Sequence, residues 1–313
     1  MAIEISNEVV NTLITERIMQ NARNFNTGTK GTIVPLTDYH QGDFEEELFF
    51  KPIGDLRRRD PNNNNTAVVD TLDNSKHRAV KIYLYKKLSY KLTDIKRYGK
   101  DPDALAVRIG EDLGDLVTVT MLNKGLIGAI GAIGAGNNTV YDGSSATPDM
   151  KTLNQILRLF GDNIQALQSW VLNSNAYFNL NNAGIDSSLD TVASGILYNA
   201  TPATMGRNAY VTDSTALTDA DGNDIILGLQ SGGVVVKESE ERELIQQIKD
   251  DGENLALQIS LETAFTVSIK GYAYKDTAGA NPDDATLGAS ANWEQAVSDI
   301  KAGAGVYGKV KSA

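Results

Sequence analysis

Few residues in this chain are of types that do chemistry. There is no cysteine, so there is no thiol nucleophile, no thiolate metal site and no disulfide. The two histidines, His40 and His77, stand at no metal-ligating spacing, and spacing alone builds no Ser-His-Asp arrangement around either. Both are expected in polar loops. The adjacent carboxylates Glu111/Asp112 and Asp283/Asp284 are the candidates for acid–base work, although solvated or inter-subunit charges are the commoner use of such pairs. The string "TDADGND" (218–224) hints at a calcium loop. With Gly222 in sixth place, however, Leu217 would be first and Gly228 twelfth, where an Asp and a bidentate Glu are required. A turn is expected there. No catalytic, cofactor-binding or metal-binding residue is assigned.

The stretch "KGLIGAIGAIGAGNN" (124–138) carries glycine at Gly125, Gly128, Gly131, Gly134 and Gly136. A dinucleotide fingerprint requires its glycines straight after a strand, and a P-loop requires G-K-[ST]; neither condition is met. A membrane-inserting peptide is the third reading, but the stretch is short and its flanks are not basic. The context is helical. Asp101 suits a cap, Pro102 the first turn, and Asp103 the positive end of the dipole. Leu105, Ile109, Leu113, Leu116, Val119, Leu122, Leu126, Ile130 and Ile133 recur at steps of three and four. The helix would run about 33 residues and about 50 Å. Each glycine costs it about 1 kcal/mol in propensity, so Gly125, Gly128, Gly131 and Gly134 are read as helix-packing residues against a crowded neighbour.

A formal charge of −11 argues against a dedicated nucleic-acid binder, since an acidic surface gains nothing from counterion release. The start "MAIEISNEVV" has no signal-peptide pattern, and no uninterrupted apolar run reaches the ~18 residues of a span. Synthesis in the cytosol is expected.

The elements around the long helix are read as follows. Residues 1–30 are a polar arm outside the core, with a short helix near 8–19. "GTIVPLTDY", "ELFFKPI" and "AVKIYLYKKLSYKLTDI" are extended, with Val80, Ile82 and Leu84 alternating against Lys81, Tyr83 and Tyr85 and the period continuing through Leu92. "RRRDPNNNNTA" is a polar tip between them. Over 149–180 one helix carries Leu153, Ile156, Leu157, Phe160, Ile164, Leu167 and Val171; a second short helix is placed at 187–194. "NAYVTDS" and "GGVVVKES" are short strands, so 146–235 forms a compact α/β unit. "KESEERELIQQIKDDGE" is an exposed helix or turn. Residues 253–275 alternate from Leu255 to Ile269 as one long strand or two in phase. The tail 276–313 holds a short helix bearing Trp293.

Several of these strings resemble the major capsid proteins of tailed bacteriophages, the Hong Kong 97 fold, an α+β class. "KRYGKDPDALAVRIGEDLGD" is similar to the start of that family's spine helix, and "LRLFGDNIQALQSWVLNSNAYFNL" to the helix opening its axial domain. "AYVTDS", "FTVSIKGYAYKD" and "LGASANWEQAVSDIKAGAGV" resemble its following strand, its peripheral return and a C-terminal segment of one subgroup. The resemblance covers residue 30 to the end and rests on the shared order of the strings.

The resemblance implies an N-terminal arm (1–30), an E-loop with flanking strands (31–97), a peripheral domain with its spine helix (98–145), an axial domain (146–235), return strands (236–275) and a C-terminal segment (276–313). It implies a non-enzymatic shell protein without cofactors, whose copies form hexamers and pentamers of an icosahedral head. The E-loop would lie across a neighbouring copy. The implied partners are further copies, a portal and a decoration protein. A separate scaffolding protein is also expected, because the chain starts almost directly with the arm. The shell would enclose double-stranded DNA without binding it specifically, with no membrane involved. No position matches the family's lysine–asparagine cross-link. Arg57, Arg58 and Arg59, the most basic point, are paired in this reading with Glu240, Glu241 and Glu243 of an adjacent copy; a solvated loop tip is the alternative. An encapsulin-like nanocompartment or a tail component is the competing function.

Overall fold

A computed structural model describes residues 7–50, 61–62, 69, 74–98, 102–192 and 204–312. In chain order the elements are α1 (Asn7–Thr29), β1 (Ile33–Thr37), β2 (Phe44–Phe50), β3 (Asn74–Lys91), α2 (Leu92–Tyr98), α3 (Pro102–Gly134), β4 (Val140–Gly143), α4 (Met150–Arg158), β5 (Leu167–Leu172) and α5 (Ser174–Val192). There follow β6 (Asn208–Val211), β7 (Asp224–Gln230), β8 (Val234–Glu238), β9 (Glu243–Asp251), β10 (Asn254–Ile269), β11 (Tyr272–Tyr274), α6 (Asp284–Gly288), β12 (Trp293–Gln295) and β13 (Gly305–Val310). Helices and sheets are mixed throughout, an α+β arrangement.

Two sheets organise these parts. The first runs β1-β8-β10-β3-β2, with β9 also on β10. Along β10, residues 254–262 pair with β9 and 265–269 with β8, while β3 takes the opposite edge. Leu257, Ile259, Leu261, Phe265, Val267 and Ile269 face the core under α3. The second sheet runs β4-β13-β7-β5-β6. Its own cluster packs Leu153, Ile156 and Phe160 of the α4 region against Trp170, Ile226, Val306 and Val310.

The helix over 102–134 stands where the sequence places it, and so does the long strand β10, although Leu255 at its start is exposed. Other elements differ, each for a physical reason. The N-terminal segment is no free arm: α1 is 23 residues long, and Val10 and Ile14 are fully buried against α3. Its Asn-rich stretch hides a helix whose apolar face is narrow.

The period-two reading of β3 overruns into α2 at Leu92, and Lys81 is buried rather than exposed, because β3 is covered on both faces there. The single helix over 149–180 is broken. Asp149 starts α4 with a capping box to Thr152, and Gly161, at φ +63°, stops it. Residues 167–172 are then a strand buried on both faces, a pattern that mimics a helix stripe. Of the helix placed at 187–194, residues 187–192 are the end of the longer α5, and 193–194 lie outside the described residues.

β8, supplied by "GGVVVKES", belongs to the first sheet, and the second recruits β13 from the tail. Trp293 sits in β12, not in a helix. The acidic stretch before β10 is β9, a strand; Gly252, first residue of the two-residue turn and at φ +78°, is the hairpin signal that marks it.

On α3 the buried stripe is Ala106, Ile109, Leu113, Val117, Met121, Leu126, Ala129 and Ile133, whereas Leu116 and Val119 face outward. Residues 105–134 include a window apolar and long enough to cross a membrane, with mean hydropathy 1.6, although no uninterrupted apolar run reaches that length. Its apolarity is used inside the fold, where half of that window is buried.

Candidate functional site

The chemically capable residues do not converge. His40 lies in the turn after β1, its Nε2 3.3 Å from Thr266 Oγ1. His77 is within β3, not a loop, its Nε2 3.1 Å from the Ile269 carbonyl. Glu111 and Asp112 are exposed on α3. Asp283 caps α6 by accepting from the Thr286 amide at 2.8 Å, which holds its carboxyl below the usual range, and Asp284 pairs with Lys124. The 218–224 string is a turn: Asp219 Oδ1 accepts from the amides of Asp221 and Asn223 at 3.0 and 2.8 Å. Among the described residues, no three His, Cys, Asp or Glu converge as metal ligands.

Two other surfaces have definite geometry. The first is the glycine face of α3. A Cβ on Gly125 would lie 2.8 Å from Val236 Cγ2 of β8, and one on Gly128 2.7 Å from Val267 Cγ1 of β10. One on Gly131 would lie 2.7 Å from the Leu287 carbonyl oxygen and 3.0 Å from the Gly288 carbonyl carbon. Gly134 meets the Ser290 hydroxyl and Tyr307 in the same way. These spacings leave no room for a side chain. The Leu287 carbonyl is itself fixed, because Trp293 Nε1 donates to it at 2.7 Å from a fully buried ring.

The second is an acidic cleft of about 460 Å³, lined by Glu240, Glu241, Glu243 and Glu262 with Tyr83 and Tyr85. The loop after β8 and the start of β9 supply the first three glutamates, and the β3–β10 pair supplies Glu262 opposite Tyr85. Glu240 is partly compensated: its Oε1 is 2.7 Å from Nζ of the buried Lys81, which also donates to the His40 carbonyl at 3.1 Å. Burial, aided by a 2.9 Å bond to Asp43, pushes the Tyr83 phenol up to about 12. Glu238 lies buried beneath, 2.5 Å from Arg242, and its burial raises its carboxyl despite that partner. Arg57, Arg58 and Arg59 lie outside the described residues. Sequence reasoning missed Glu262 and the buried Lys81: the pairing of β10 with β3 and β9 sets Glu262 beside Tyr85 and Glu243, and cover on both faces of β3 buries Lys81.

A family profile described as major capsid protein 13-like (Gp13-like) matches residues 2–307. No curated protein matches by sequence. Solved structures similar in fold include the capsid asymmetric unit of cyanophage Pam1, at TM-score 0.54 and 12% identity, covering 90% of this chain and 88% of that one. The Mycobacterium phage Adephagia structure gives 0.53 and 9%, covering 91% and 89%. The capsid of Ralstonia phage GP4 gives 0.52 and 10%, covering 90% and 87%. At such low identities these likenesses show the fold alone. The family match extends over nearly all of the sequence, and this chain belongs to the Gp13-like family of major capsid proteins.

Proposed function

We propose that the chain builds the phage head shell as rings of five and six copies, with its mechanism in the surfaces just described. That it is a shell protein located in the virion capsid follows from its family. The finer reading is that heterologous contacts repeat around each ring and close by rotation. In it, the segment between β2 and β3 reaches over the adjacent copy and sets Arg57, Arg58 and Arg59 into the acidic cleft. The observation that carries this reading is the cleft itself: Glu240 has Lys81, whereas Glu241, Glu243 and Glu262 have no cation paired to them among the described residues. Gly125, Gly128, Gly131 and Gly134 then keep α3 tight on the sheets, so that the shell wall is rigid.

In the same reading the protein is made in the host cytoplasm, has no catalytic role, and assembles with a separate scaffolding protein, a portal and a decoration protein. It encloses double-stranded DNA that its net charge of −11 does not hold. Electron microscopy of the protein alone and with a candidate scaffold tests the whole. Closed isometric particles or discrete pentamers and hexamers are expected, and a monomer under both conditions overturns it. Reversing Arg57, Arg58 and Arg59 together should abolish particles and leave a folded monomer; normal particles would remove the arginine contact.

A further inference from the structure

The outer edge of β9 points to a second interface, one between two copies rather than around a ring. Among the described residues no strand pairs with that edge. Exposed edges are normally defended by charge, proline or cover. β1 carries Pro35, β2 carries Glu45, Glu46 and Glu47, and the open end of β3 carries Lys86, Lys87 and Lys91. The middle of β9 has none of these: residues 244–248 read LIQQI, with Ile245 58% and Ile248 49% exposed.

The two-residue turn at Gly252–Glu253 fixes the hydrogen-bonding phase. Asp251 and Asn254 close the hairpin as a bonded pair, so Lys249, Gln247, Ile245 and Glu243 address β10. The amides and carbonyls of Leu244, Gln246, Ile248 and Asp250 therefore point to the open side.

The geometry points to antiparallel pairing of β9 with β9 of a second copy, about a twofold axis through Gln246. An isologous contact must be self-complementary, and this register is. It brings Gln246 opposite Gln246, Leu244 opposite Ile248 and Glu243 opposite Lys249. The residues of β9 whose backbone groups point outward meet as bonded pairs. A slip of two residues either way removes the Glu243–Lys249 pairing: one way Glu243 faces Asp251, a like-charge pair that is destabilising across strands, and the other way it faces Gln247. The pairing rests on the self-assembly reading and adds a twofold link to it. It leaves Glu241 and Glu262 for the arginine stretch.

The cysteine-free chain makes the test direct. Gln246→Cys would place two thiols across the axis with Cα atoms about 5.5 Å apart, within disulfide reach. Ile248→Cys would separate its thiols by roughly 13 Å along the strands. Under mild oxidation of the assembled full chain, Gln246→Cys should run as a covalent dimer and Ile248→Cys as a monomer. Adding Lys249→Glu to Gln246→Cys should reduce the dimer several-fold, and adding Glu243→Lys as well should restore it. Particles that form without the Gln246→Cys dimer, or with equal dimer from Ile248→Cys, overturn the pairing and leave the shell reading intact. A chain that stays monomeric throughout overturns both.

Discussion

The two halves of α3 are both glycine-bearing and both close-packed, but against different kinds of neighbour. In the N-terminal half, a Cβ on Gly110 would meet Leu13 Cβ at 2.9 Å and one on Gly114 would meet Arg17 Cβ at 2.8 Å, all on one helix, α1. In the C-terminal half the neighbours are two sheet strands and the backbone of α6. A helix docked on one side can move away by a few tenths of an ångström. A sheet interior or a hydrogen-bonded carbonyl cannot. The same residue type therefore marks an adjustable contact at one end and a fixed one at the other.

The strongest test of the fixed end is Trp293→Ala. The ring is 1% exposed, stacks edge-on to Tyr274 at 5.1 Å, and holds the Leu287 carbonyl that Gly131 faces. Its loss should cost about 3–5 kcal/mol in chemical denaturation. A loss under about 1 kcal/mol, the range of a surface change, would mean that this end also relaxes.

Next comes the adjustable end. Ile14 is fully buried between α1 and α3, so Ile14→Ala should cost about 2–5 kcal/mol. If α1 were a detached arm, the same change would fall within about 0.5 kcal/mol.

The glycine half was legible in the sequence because four glycines at a step of three are costly in a helix and demand a packing reason. The α1 contact was not. Its buried apolar residues, Val10 and Ile14, are few, and the run NARNFNTGT that follows them carries no strong periodicity. Long elements with one buried face, such as β10, were readable by their period. β5 and β7, buried on both faces, give no alternation, and β13 is recruited across more than seventy residues by pairing that no local pattern encodes. Of the acidic cleft, three glutamates were legible as a charged run. Glu262 joins them only through the register that sets it beside Glu243.

A matched pair of substitutions sharpens the contrast. Gly131→Ala gains about 1 kcal/mol of helix propensity but forces a methyl against a pinned carbonyl, for a net loss of about 1–2 kcal/mol. Gly110→Ala gains the same propensity and is accommodated by a small shift of α1, so its net change should stay within about 1 kcal/mol. Equal losses from the two, measured in the same denaturant series, would erase the distinction between the ends.

The smallest effect should come from the charges that fasten α1. Arg17 donates to Asp115 through Nε at 2.8 Å and Nη2 at 3.0 Å, and Asn21 donates to the same carboxylate at 2.7 Å. The Arg17 bond, then that of Asn21, hold the Asp115 carboxyl below its usual value. A depressed folded pKa means that the stabilisation is fully present above the unfolded value of about 3.8 and is lost as pH falls through the folded one. Both side chains are well exposed, so water and salt screen most of the attraction. Asp115→Asn should therefore melt slightly below the parent at pH 6, and the gap should close as the pH is taken below 3.8. A gap that stays constant across that range would show that the Asp115 charge does not fasten α1, leaving the apolar contacts of Val10, Ile14, Ile18 and Phe25 as the main hold on that end.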